Sequence, residues 1–132
     1  MKVFKSLIAT VLLTATISAG AFAQCKIIAI VKTANWCSVC KANGERAIAA
    51  LHENNKDGTY QFVMNDISSP ETAKKSAPEI EKLGLTQAME PYMATGVVYL
   101  FDAQTKKPIN QLIMALSNED IARAMAYFKQ GK

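Results

Sequence analysis

One histidine, one tryptophan and three cysteines are all this 132-residue chain holds of the residues that most often carry chemistry. Each scarcity excludes something. With His52 as the sole histidine and no second Cys-x-x-Cys, the common zinc ligand sets cannot be assembled, so no metal site is expected. Lysines and arginines nowhere cluster with interleaved aromatics, so no nucleic-acid partner is expected. Internal repeats, low-complexity tracts and Pro/Gly-rich linkers are missing too, which leaves one small domain. The composition that remains, half hydrophobic and a fifth charged, is that of an ordinary globular protein.

The first 23 residues do not read as part of the fold. Lys2 and Lys5 form a positive start, and Leu7 to Ile17 is an apolar run broken by Thr10, Thr14 and Thr16. Ala21-Phe22-Ala23 then offers small residues where a signal peptidase reads them, which predicts cleavage after Ala23 and a mature chain of residues 24–132. The run is shorter than the roughly 18–20 residues a membrane span needs. An uncleaved anchor and a lipid attached at Cys25 are the other two readings; Gln24, just before that cysteine, is larger than lipid-attachment sites prefer. Losing Lys2 and Lys5, with no acid in the segment, lowers the formal charge from +4 to +2. The expected destination is periplasmic or extracellular, where disulfides persist.

Lys26 to Thr33 (KIIAIVKT) is β-branched and almost continuously apolar, the pattern of a strand buried on both faces. From about Cys37 to Asn54, Val39, Ala47, Ile48 and Leu51 recur at helical spacing. Tyr60 to Ile67 reads as a second strand. Ser68-Ser69-Pro70-Glu71 reads as a helix start, Pro78 is expected to interrupt that helix or begin another after Ser76, and Gly84 to stop it. Val97 to Phe101 and Pro108 to Met114 predict a hairpin turning at Asp102 to Lys107, and Ser117 caps a last amphipathic helix. Leu85 to Met93 carries no clear pattern.

Cys37 and Cys40 lie three residues apart where a buried strand gives way to a helix, behind Trp36. Cysteines at that spacing in the first turn reach each other to form a disulfide. The first sits where unpaired backbone N–H groups and the helix dipole favour a thiolate, the nucleophile of thiol–disulfide exchange. Cys37 is therefore expected to be the exposed attacker and Cys40 the shielded resolving thiol. An inert structural disulfide is the alternative reading of the same pair.

Through Ala34-Asn35-Trp36-Cys37-Ser38-Val39-Cys40-Lys41, the strand Val97 to Phe101 and the helix opening at Ala115-Leu116-Ser117, the chain resembles the thioredoxin family. The resemblance spans most of Lys26 to Lys132. It implies an α/β fold with a mixed sheet of about four strands flanked by helices, lacking the usual N-terminal strand and helix. It also implies a thiol–disulfide oxidoreductase without a cofactor, acting on protein thiols and disulfides, fed by a membrane redox partner and leaning towards reduction. Trp36, Thr95 and Gly96 would form the substrate-binding surface, and Ser38-Val39 would tune the potential.

Three departures from the family are visible. Ser38-Val39 stands in place of glycine–proline, and Val39 supplies an N–H that proline would lack. Val31 falls where a buried acid is usual, leaving another carboxylate to serve Cys40, with Glu90 as a guess. Gly96 falls where thioredoxins place a cis-proline. A non-proline cis bond costs roughly 2.5–4 kcal/mol, so Gly96 is expected to be trans and to make the turn with glycine's freedom. The missing ring is expected to open space against the sulfurs, which keeps a thiolate metal carrier as a third reading beside enzyme and binding module. Cys25 reads as a terminal thiol, a mixed-disulfide partner or a lipid site. His52 reads as a surface residue, Tyr60, Phe62, Tyr99, Phe101 and Phe128 as core aromatics, and Met89 and Met93 as packing residues.

Overall fold

A computed structural model describes residues 25–131. The expected signal segment, and any strand or helix ahead of Lys26, fall outside those residues. The elements run β1 (Ile27–Thr33), α1 (Ser38–Glu53), β2 (Tyr60–Asp66), α2 (Pro70–Lys82), α3 (Thr86–Met89), β3 (Val97–Asp102), β4 (Pro108–Ile113) and α4 (Asn118–Lys129). The strands form one mixed sheet in the order β2-β1-β3-β4. β1 pairs parallel with β2 and antiparallel with β3, and β4 closes the antiparallel edge. This is the thioredoxin-like arrangement. No helix among the described residues is long and apolar enough to cross a membrane.

β1 sits second in the sheet because its residues can be buried on either side. Ile27, Ala29 and Val31 point into a core shared with Ala47 and Leu51 of α1 and Ile121 and Met125 of α4. Ile28 and Ile30 point the other way, against Ile80 of α2, Leu85, Met89, Tyr99 and Phe101. Each fully buried isoleucine or leucine contributes about 1.5–3 kcal/mol relative to exposure. Lys32 is the exception in this strand, a charged residue only 8% exposed.

The helix ends follow the sequence signals. Ser69 and Thr72 form a reciprocal capping box on α2, and Ser117 Oγ accepts the Asp120 N–H at 3.1 Å on α4. Gly84, at φ +72°, ends α2: its N–H donates to Glu81 O and that of Leu85 to Ile80 O, a Schellman arrangement. Pro78 does not interrupt the helix, contrary to expectation. It forgoes only the bond to the Lys74 carbonyl. Both residues are exposed, so water can meet that carbonyl. The unpatterned Leu85 to Met93 stretch contains the one-turn α3.

Candidate active site

The chain leaves β1 through an exposed turn at Asn35 and Trp36 and enters α1 with Cys37 as its N-cap. The Cys37 N–H donates to Ala34 O at 3.2 Å, and the Cys37 carbonyl accepts the Lys41 N–H at 3.0 Å. Cys37 Sγ accepts the Cys40 N–H at 3.1 Å, the place a serine or aspartate oxygen takes in ordinary caps. Cys37 and Cys40 are joined by a disulfide, their Cα atoms 5.2 Å apart. That separation lies within the range a disulfide spans.

Exposure does not separate the two cysteines as expected. Cys37 is 6% exposed and Cys40 9%. The reason is Gly96, which lies against Cys37: a Cβ built on it would stand 3.4 Å from Cys37 Sγ and 3.0 Å from Val39 Cγ1. The missing proline ring thus opens no space beside Cys37, because Val39 and the glycine backbone close it. This removes the geometric ground for a thiolate metal carrier. What distinguishes Cys37 is its place at the cap, with a backbone N–H aimed at its sulfur.

Gly96 takes φ +73° with no cis peptide among the described residues, as its sequence position led one to expect. Its N–H donates to Lys32 O at 2.8 Å, and its carbonyl accepts the Met114 N–H at 2.9 Å. Thr95, just before it, is half-buried, and among the described residues no hydrogen bond engages its backbone. Trp36, at 60% exposure, is a surface residue rather than a core aromatic. Ser38 is exposed and Val39 half-buried. Met93 is 75% exposed, so it does not pack as expected: it lies in the loop beyond α3, while Met89 within α3 is buried.

Cys40 meets the surface in a shallow cleft of about 290 Å³ lined by Ala34, Asn35, Lys41, Asp66 and Ser68 among others. Asp66 Oδ1 accepts from the Ser68 hydroxyl at 2.5 Å and the Ser68 N–H at 2.9 Å. These bonds, the hydroxyl foremost, hold the Asp66 carboxyl below the usual carboxylate range. The Asn35 N–H donates to the same Ser68 Oγ at 2.8 Å, so the turn before the cysteines is tied to the end of β2. Val31 is buried in the core cluster that holds both cysteines and supplies no acid. Glu90 is exposed at the end of α3 and does not line the cleft beside Cys40; Asp66 does.

Four functional candidates were missed in the sequence. Lys32 had a signal, a lone charge in an apolar strand; its Nζ donates to Tyr92 O at 2.7 Å, and burial lowers its pKa. Asp66 and Ser68 had only an Asx-like spacing at a strand end. Tyr99, taken for a core aromatic, also uses its hydroxyl, which donates to Ala94 O at 2.8 Å. Cys25 is a free, half-buried thiol 3.3 Å from Gln61 Oε1. His52 is exposed, edge-on to Phe62.

Among solved structures, the chain is similar to the crystal structure of Trxlp from Edwardsiella tarda EIB202, at 17% identity and a TM-score of 0.48, covering 79% of this chain and 85% of that one. It is similar also to the solution structure of oxidised thioredoxin from Plasmodium falciparum, at 13% identity and a TM-score of 0.49, covering 83% and 86% respectively. No family model and no curated protein matches. The thioredoxin-like description of the fold rests on the order and directions of the four strands.

Proposed function

We propose that the chain is an exported oxidoreductase that reduces disulfides in protein substrates through Cys37 and Cys40. The observation that carries this reading is the cap geometry: Cys37 Sγ already accepts a backbone N–H at the positive end of a helix, the environment that stabilises a thiolate. In the reduced protein, the Cys37 thiolate attacks a substrate S–S bond. A Cys37–substrate disulfide forms and one substrate sulfur leaves as thiolate. Cys40 then gives up its proton and attacks Cys37 Sγ, forming the Cys37–Cys40 bond and releasing the second substrate sulfur. Two electrons pass to the substrate, and a donor dithiol, assigned to a membrane partner, returns them. Export rests on the basic start, apolar run and Ala21-Phe22-Ala23 of the leader.

The burial of both cysteines favours one competing reading, a binding module with a structural disulfide. Glutathione buffers separate the two. A potential below about −300 mV with an unreactive Cys37 marks a structural bridge and refutes the proposal. A Cys40→Ser variant that traps mixed disulfides, with Cys37→Ser trapping none, supports it.

A further inference from the structure

The Tyr92 to Gly96 segment ends at the glycine that lies against Cys37, yet it has neither proline ring nor regular secondary structure to fix its shape. Lys32 of β1 ties both of its ends. Its Nζ donates to the Tyr92 carbonyl at 2.7 Å, and its own carbonyl accepts the Gly96 N–H at 2.8 Å. Between those ties, the Tyr99 hydroxyl holds the Ala94 carbonyl at 2.8 Å. Tyr92 is further seated by ring contacts with Tyr99 and Phe101. Both backbone groups of Met93 and Thr95 and the Ala94 N–H have no hydrogen-bond partner among the described residues, and of these Thr95 stands directly before the glycine that abuts Cys37.

A buried lysine is a costly way to fill a strand position, since its ammonium gives up water for one carbonyl partner. Among the described residues the only ion pairs are Arg123–Asp120 and Lys129–Asp57, so no carboxylate balances Lys32. Its neighbours on that strand face, Ile28 and Ile30, show what the core would accept there. An apolar side chain at position 32 would keep the bond from its backbone carbonyl to Gly96 but lose the one to Tyr92.

We propose that Lys32 is a positioning residue for substrate docking: it clamps the Tyr92 to Gly96 loop so that the backbone of Thr95 stands ready to pair with an extended segment of a protein substrate beside Cys37. The inference rests on the exchange reading of the cysteine pair. Lys32 touches no reacting atom. Its contribution is to binding, shared by ground and transition states, and so belongs to KM rather than kcat.

The test is reduction of insulin by the mature domain with dithiothreitol as donor, alongside alkylation of reduced Cys37 by iodoacetamide. Lys32→Met, which keeps the stem and removes the donor, is expected to raise KM for insulin roughly tenfold with little change in kcat. Its rate of alkylation by the small reagent should match that of the unaltered domain. Equal KM in the two proteins overturns the inference, as does a parallel loss of kcat and alkylation rate, which would mark a merely structural residue. If Lys32→Met does not fold, Tyr99→Phe, which frees the same loop at Ala94, decides: a raised KM supports the clamp and an unchanged one overturns it. An unaltered domain that neither reduces insulin nor alkylates at Cys37 refutes the exchange reading itself. An active domain with an indifferent Lys32→Met refutes only the clamp.

Discussion

Gly96 and Val39 are sized for each other: a Cβ on the glycine would lie 3.0 Å from Val39 Cγ1 and 3.1 Å from Val39 Cβ. The family the chain resembles puts proline at both places, one inside the motif and one before the strand. Here a β-branched side chain and a left-handed glycine pack against each other next to Cys37. A larger residue at 96 would collide with Val39, and a smaller one at 39 would uncover the sulfur.

Gly96→Ala is therefore expected to destabilise the oxidised domain by about 1–3 kcal/mol, from a positive φ and from overpacking together. In a Val39→Ala background the 3.0 Å contact with Cγ1 is removed, while the contact with the Cβ at 39 and the conformational part remain. The cost of the alanine should then shrink by about 0.5 kcal/mol or more without vanishing. Denaturant unfolding of the four proteins in the cycle measures this. Strict additivity would show that the close approach is not felt.

Installing proline at 96 should harm the protein. Gly96 holds φ +73°, whereas proline fixes φ near −65°, and the Gly96 N–H that bonds Lys32 O would be lost. Gly96→Pro is expected to cost more than Gly96→Ala and to slow the reaction with insulin. Recovery of full stability by the proline variant would show that neither the left-handed backbone at Gly96 nor its bond to Lys32 matters to the fold.

What could be read in the sequence was whatever local chemistry decides. Ser69 and Ser117 announce caps because a hydroxyl there meets an orphan N–H, and Gly84 announces a stop because only glycine takes φ +72° freely. The doubly buried β1 shows as an apolar run, and the cysteine pair shows by spacing. The relative exposure of Cys37 and Cys40 did not show, since it depends on Gly96 and Val39, brought together from 57 positions apart. Nor did the Lys32 clamp, whose partners are the backbone carbonyl of Tyr92 and the backbone N–H of Gly96, which no side-chain pattern reveals. Asp66 reaches the Cys40 cleft only because β2 runs parallel to β1 and ends beside Thr33.

Pro78 should be replaceable with gain. It lies inside α2, exposed, where its ring denies the Lys74 carbonyl a partner. Pro78→Ala restores the N–H and improves helix propensity, offset in part by a more flexible unfolded chain. A net gain of about 1–2 kcal/mol is expected in thermal or denaturant unfolding. A loss would mean that the proline at 78 shapes the packing of Ile80.

Acid should weaken the tie between the α1–β2 turn and α4. Lys129 Nζ lies 2.6 Å from Asp57 Oδ2, and this bond, with help from the Thr59 N–H, holds the Asp57 carboxyl at about 2, below its ordinary 3.8. A carboxylate depressed in the folded state adds stability that is fully present above its unfolded value and lost as pH falls through the folded one. The loss should occur between 3.8 and about 2. Asp57→Asn should flatten that part of the stability curve by lowering stability at neutral pH to the level the unaltered protein reaches in acid, a modest loss because the pair is exposed and screened. An equal acid slope in both proteins would count against the pairing.

Asp66 bears on the resolving step. Its carboxyl is held below the usual range by Ser68 and so stays charged at every pH where a thiol titrates. It shares a cleft with Cys40, and a negative charge there opposes a second thiolate. Lys41 lines the same cleft with the opposite sign, but it is exposed and more strongly screened. In a Cys25→Ser/Cys37→Ser protein, where Cys40 is the remaining thiol, adding Asp66→Asn is expected to lower the pH of Cys40 ionisation by about half a unit to one unit. The shift should fade in high salt. Thiolate absorbance against pH reads this directly. An unmoved or raised midpoint would leave Asp66 as no more than the anchor of Ser68 and, through it, of the turn that carries Trp36 to the disulfide.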